Sequence, residues 1–263
     1  MNLRQIALDA LLLAAPDEKC AAVRSIALAD APQQFTTPDR RRLATEVLPG
    51  RGARPLLVSP AQVAQRPVNT NEGRAALIHS LAHIEINAVN LALDIVWRFD
   101  DLPAAFYRDW LGVAREEASH FDLLQAHLAT TGYAYGDFPA HNGLWEMAEK
   151  TSDNLLARLA LVPRTLEARG LDAAPVIRDK LRGVGDVRGA SILETILRDE
   201  IGHVAIGNRW YRWLCEKRDL DPLTTYGQLA QSYGAPRLRG PFNLEARRAA
   251  GFDERELAAL QAP

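Results

Sequence analysis

The sequence predicts an all-α protein organised around four long helices, with short helices before them and an irregular extension after them. Three observations carry that expectation. Leu, Ala, Arg and Glu recur at helical spacing across most of the 263 residues, and the alternating runs of Val, Ile, Thr and aromatics that make strands hardly occur. Clusters of Gly, Pro and Asp divide the middle of the chain at helix-length intervals.

Residues 3–13, 18–28 and 38–47 read as short helices, each too short to hold without tertiary packing. Residues 49–67 contain Pro49, Gly50, Gly52, Pro55, Pro60 and Pro67, a composition that ends helices and lays an extended segment over a surface. Residues 1–69 are therefore expected to form a helical appendage and linker packed on the main body. The first long helix starts after Thr70 or Asn71, either of which can cap it with Glu72 in the first turn, and runs to residue 99. A turn over 100–103 leads to the second helix, 104–130, which stops at Gly132. A loop with Gly136, Pro139 and Gly143 follows, long enough to return along the second helix, and the third helix spans 144–169 and ends at Gly170. A helical piece at 172–182 precedes Gly183-Val184-Gly185, and the fourth long helix covers 186–216. Residues 70–216 then form a four-helix bundle, and 217–263 a C-terminal extension, irregular except for helix at 244–249 and 254–261. All three parts are expected in one structural domain.

Composition narrows the classes of function. With 48% hydrophobic residues the chain has ample core material. No run approaches the roughly 20 consecutive apolar residues of a membrane span. Asp9 interrupts what would be the apolar part of a signal peptide, so a soluble, cytoplasmic protein is expected. Net charge is −2, with no cationic excess to follow a phosphate backbone, and nucleic acid is not an expected partner. Cys20 and Cys215 are too few for a disulfide framework or a thiolate metal site, which leaves carboxylates and histidines as metal ligands.

Those ligands occur in a repeated pattern. Glu117-Ala118-Ser119-His120 lies on the second long helix and Glu200-Ile201-Gly202-His203 on the fourth, and residues three apart in a helix share a face. Glu85 precedes the first motif by 32 residues and Glu167 precedes the second by 33, each interval folding at a predicted turn. Glu85 shares a stripe with Ile78, Ala82, Val89 and Ala92, while Glu117 and His120 share one with Val113, Leu124 and Leu128. Carboxylates on an apolar stripe need partners, and a metal cation is a natural one. One Glu from each of two helices plus Glu-x-x-His from each of two others is the ligand set of ferritin-like dinuclear proteins. Glu85, Glu117, His120, Glu167, Glu200 and His203 match that set in number, type and order, which points to a ferritin-like four-helix bundle. Hard oxygen ligands with one imidazole per metal favour two iron ions, or manganese, or one of each, with zinc as a substitute after overexpression.

Glu116 and Asp199, each beside a ligand glutamate, are placed to orient the ligand histidines, with solvated surface positions as the other reading. Pro163 and Gly170 disturb the helix around Glu167, and Arg164 and Arg169 offer it ion pairs instead of a metal. His79 and His83 are read as surface or capping residues. Trp110 and Tyr211 lie on the metal-facing sides as substrate wall or redox-active aromatics, with core packing the alternative. Arg237 and Arg239, in a segment from Tyr233 to Asn243, are expected to line the entrance for an anionic substrate.

At these residues the chain resembles the ferritin-like bacterial family called domain of unknown function 455. The matching stretches are Glu72-Gly73-Arg74-Ala75, His79-Ser80-Leu81-Ala82-His83-Ile84-Glu85, Glu116-Glu117-Ala118-Ser119-His120-Phe121, Pro163 to Asp172, Asp199-Glu200-Ile201-Gly202-His203-Val204 and Gly240-Pro241-Phe242-Asn243. The resemblance implies a ferritin-like fold and a dinuclear metal site. More distant relatives there include ferritins, ribonucleotide reductase small subunits, hydrocarbon monooxygenases and a tRNA-modifying hydroxylase, so the fold does not select a function. The expected function is oxygen-dependent oxidation or hydroxylation of a small organic substrate by a di-iron centre, with dioxygen and an external electron donor as partners. Metal binding, iron oxidation or protection against oxidative stress form the second class, and a dimer is compatible with either.

Overall fold

The structure is a computed structural model and describes residues 2–27, 34–39 and 47–261. The described residues are helical with connecting turns and loops, and contain no strand, only isolated bridges such as Leu57 to Ala140. Internal contacts divide the chain into two compact units, Met1–Gly143 and Leu144–Pro263.

The first unit is built on α1 (Leu3–Leu12), α2 (Pro16–Arg24), α3 (Asn71–Arg98) and α4 (Ala104–Ala129). Of the helix expected over 38–47, positions 40–46 lie outside the described residues, and the helix expected over 18–28 instead starts at Pro16 and stops at Arg24, where Ser25 caps it. Thr70 caps α3 by accepting a hydrogen bond from the Gly73 N–H at 3.0 Å, one of the two sequence alternatives. The turn to α4 uses a left-handed Asp101, at φ 59°, and α3 then packs along α4. By length and composition α3 could cross a membrane, yet 78% of its most apolar 18-residue stretch is buried. Buried Glu85 and Asp94 further mark α3 as a core helix.

Two long cationic side chains tie the N-terminal helices to α3. Arg4, fully buried, donates to the carbonyls of Val96 (3.1 Å) and Trp97 (2.8 Å) and pairs with Asp100 at 2.6 Å. It thereby satisfies last-turn carbonyls that have no partner within the helix. Lys19 donates to Leu11 O, Gly50 O and Asn90 Oδ1, and its burial, followed by the charge of Arg51, lowers its pKa to about 7.

After α4 the chain climbs back along α3. Asn71 donates to Thr131 O at 2.9 Å, the Gly136 N–H donates to His79 Nε2 at 2.9 Å, and His83 Nε2 lies 3.1 Å from His141 O. The surface reading of His79 and His83 is thus overturned: they are 0% and 5% exposed, and burial lowers both to a pKa of about 4, so they stay neutral. Tyr135 stacks on His79 and bonds His83 Nδ1 at 2.8 Å, so both imidazoles pin this loop.

The second unit comprises α5 (Gly143–Lys150, whose first residue closes the first unit), α6 (Leu155–Leu161), a π-helical segment (Val162–Glu167), α7 (Ala168–Gly183) and α8 (Val187–Lys217). It continues with α9 (Pro222–Ser232), α10 (Leu244–Ala249) and α11 (Glu254–Gln261). Three expectations change here. The third long helix is interrupted after α5, where Arg158 donates to Thr151 Oγ1 at 2.9 Å and to Ala148 O, and Asn154 caps a new helix through the Ala157 N–H. Helix does not end at Gly170: α7 runs through it, because Ala168 and Leu171 are fully buried and their packing outweighs a glycine cost of about 1 kcal/mol. The stretch from 217 to 243 is not irregular throughout, since a helix forms over Pro222–Ser232, where Asp221 caps α9 through the Thr224 N–H with Pro222 in its first turn.

Pro175 lies inside α7 and leaves Leu171 O without its helical donor. Asn243 supplies a replacement, donating from Nδ2 to Leu171 O at 3.2 Å, while Arg247 clamps Asp172 at 2.6 and 3.0 Å. The C-terminal extension therefore completes α7.

Candidate metal centre

In the first unit, the α3–α4 pairing brings Glu85, Glu117 and His120 together. One ligand atom from each lies within 4.8 Å of the others, and all three side chains are buried. His120 Nδ1 is 3.2 Å from both Glu85 Oε2 and Glu117 Oε2. The neighbours expected on the two stripes are buried too: Ile78, Ala82, Val89 and Ala92 on α3, and Val113, Leu124 and Leu128 on α4.

Electrostatics follow from that placement. Burial, and then the charge of Glu117, push the Glu85 carboxyl up to about 8. Burial alone would lower His120, but its hydrogen bonds to Glu117 and Glu85 and their charges outweigh it and raise the imidazole to about 11. Two carboxylates packed in an apolar wall neutralise themselves either by holding protons or by holding a cation. The donor set, two carboxylates and an imidazole with no thiolate, suits a hard or borderline divalent ion.

In the second unit, α8 carries Glu200 and His203 on one face, both buried, with His203 Nδ1 3.6 Å from Glu200 Oε1. Glu200 Oε2 is buried with no hydrogen-bond partner among the described residues. Such an oxygen costs stability unless something charged meets it. Glu167 is the last residue of the π-helical segment and is half-buried. Pro163 has no N–H to give, and the wider turn is closed by Thr165 Oγ1 donating to Ala160 O at 2.9 Å. Gly207 of α8 lets this segment approach: a Cβ there would sit 2.6 Å from Pro163 Cβ. Gly207→Ala is accordingly expected to cost about 1–3 kcal/mol, read from the denaturant midpoint, and an unchanged midpoint would refute the close approach.

The remaining sequence-selected residues fall as follows. Glu116 is exposed, and Asp199 is half-buried beside Arg198 at 2.9 Å. Trp110 is buried edge-on to Phe106 and its Nε1 has no partner among the described residues. Tyr211 donates to Pro222 O at 2.8 Å and carries the Arg164 guanidinium 4.2 Å from its ring, so it belongs to the core of the second unit. Arg237 and Arg239 are exposed and line a cavity whose described wall includes none of Glu167, Glu200 and His203. Sequence reasoning missed the pins His79 and His83 and the clamp residues Arg4, Asn243 and Arg247. Their own sequence neighbourhoods hold no signal for partners 57 to 93 residues away.

A family model described as a protein of unknown function, DUF455, matches residues 12–258. An uncharacterized protein of Haemophilus influenzae is 51% identical over 211 residues, covering 78% of this chain and 73% of that protein. No solved structure matches the chain.

Proposed function

The chain belongs to the DUF455 family, a membership that assigns no chemistry, and we propose from the site itself that the protein is a dinuclear metal–carboxylate protein acting as an oxygen-dependent oxidase or hydroxylase of a small organic substrate. The carrying observation is the buried trio Glu85, Glu117 and His120, whose ligand atoms converge within 4.8 Å. Glu167, Glu200 and His203 are proposed as the second half of the same centre, with the two hairpins forming a ferritin-like four-helix bundle. Two features support that reading. The same residue types recur at an interval of 32 and 33 positions, and Glu200 Oε2 is buried without a partner among the described residues.

The six residues would hold two iron ions, which when bound supply dioxygen activation and electron transfer. The chain's own contribution is to bind, to exclude water and to handle protons. Glu85 gives up the proton that burial and the Glu117 charge keep on it, and His120 the proton that its hydrogen bonds to Glu117 and Glu85 keep on it, so the cation replaces protons. Val113, Leu124 and the apolar stripe of α3 keep water from the trio. The electron donor and substrate are proposed to reach the centre from the cytoplasm.

Elemental analysis after anaerobic reconstitution with ferrous iron tests the assignment. About two irons per chain are expected in the wild type. Glu117→Ala and Glu200→Ala separately should each remove most of both irons if the half-sites form one centre, and only one iron each if they do not. Equal iron in the wild type and a Glu117→Ala, Glu200→Ala double variant would overturn the metal reading.

A further inference from the structure

The second unit contains a cavity of about 770 Å³, within the usual range of small-molecule sites, in which the proposed metal ligands take no part. Four arginines line it, Arg164, Arg237, Arg239 and Arg247, against one carboxylate, Glu256. That carboxylate is already engaged by both Arg164 and Arg212. Arg164 and Arg247 are 3% and 0% exposed, yet each keeps an Nη1 with no hydrogen-bond partner among the described residues. Their other nitrogens are fixed: Arg164 by Asn208 and Glu256, Arg247 by Asp172 and Ala168 O. Two buried guanidiniums are thus held rigidly with a donor in reserve, and two more stand exposed at the mouth.

Half-buried Tyr226, Phe242 and Phe252 supply apolar and aromatic wall to the same cavity. Their rings lie 5.3 to 5.5 Å from the buried guanidiniums, which orders the wall. The volume far exceeds that of a bare inorganic anion.

We propose that this cavity binds a phosphomonoester of a ring-bearing organic molecule, of the size and chemistry of a nucleoside monophosphate. Several guanidiniums call for more than one negative charge, which a phosphomonoester carries at neutral pH and a single carboxylate does not. The aromatic wall takes the ring. The site stands independently of the metal centre and holds whether or not iron binds.

Calorimetric titration of the full-length protein with AMP, inorganic phosphate and adenosine tests it. AMP is expected to saturate one site per chain, and both phosphate and adenosine to bind at least about tenfold more weakly. Arg237→Ala with Arg239→Ala, both exposed, should weaken AMP at least about tenfold and leave the melting temperature unchanged. Arg164→Lys keeps the charge but loses the fork and should also weaken AMP; if it lowers the melting temperature, the exposed pair decides. Failure of AMP to saturate at about 5 mM, AMP no tighter than adenosine, or undiminished affinity in the double variant would each overturn the proposal. Phosphate binding as tightly as AMP would reduce the site to a simple anion pocket and overturn the ring-bearing assignment.

Discussion

Glu85→Gln is expected to leave the protein folded while weakening ferrous-ion binding at least about 100-fold. Glutamine preserves the shape of the carboxyl and its approach to His120, which lies 3.2 Å from Glu85 Oε2, but removes the charge a cation requires. The effect has a pH signature. Glu85 titrates at about 8 in the fold because burial and Glu117 disfavour its ionised form, against an ordinary value of 4.5. Between those values the folded state binds more protons than the unfolded chain, so in chelator the stability of the wild type falls as pH rises through about 8. His120, raised from 6.5 to about 11, adds a contribution fully present below 6.5 and lost as pH rises through about 11. Metal affinity runs the opposite way and rises with pH, since binding displaces those protons. Melting curves in chelator at pH 6 and 8.5 should differ less for Glu85→Gln than for the wild type. A variant that keeps wild-type affinity for iron would remove Glu85 from the centre.

Arg4→Ala is expected to cost about 3 kcal/mol, read from the midpoint of denaturant unfolding. The substitution strips donors from the carbonyls of Val96 and Trp97 and leaves Asp100 without its 2.6 Å partner, at the turn from α3 to α4. The guanidinium also stands 5.2 Å from the centre of the Tyr107 ring, and alanine offers that ring no cation. Arg4→Lys should recover only part of the loss, because one ammonium cannot reproduce a fork reaching three acceptors. A change within about 0.5 kcal/mol would show that the α3 terminus closes without Arg4.

Much of the local architecture is legible in the chain. The first long helix begins at the predicted cap, the 100–103 and 183–185 turns fall where their composition puts them, and helices at 244–249 and 254–261 stand at the expected positions. These features depend on capping, periodicity and turn residues, which act within a few positions. The same locality explains the trio: Glu117 and His120 converge because they lie one helical turn apart, and Glu85 meets them because a short turn folds α3 on α4. The chain carries further start signals of the same local kind, Asp221-Pro222 at the head of α9 and Asn154 before α6, which the expected element boundaries did not include.

By itself, then, the sequence determined that the chain is helical, where the first, second and fourth long helices lie and turn, and which acids and imidazoles share each face. Only the tertiary structure decided how broken helices are repaired, through Asn243 on the carbonyl that Pro175 frees and through Arg4 on the end of α3. It also decided that His79 and His83 are buried pins, and that burial and close neighbours keep protons on Glu85 and His120. The physical reason is range. Helix propensity and capping act over one or two turns, whereas desolvation and the pairing of freed carbonyls depend on groups tens of residues apart, brought together only when the chain is packed.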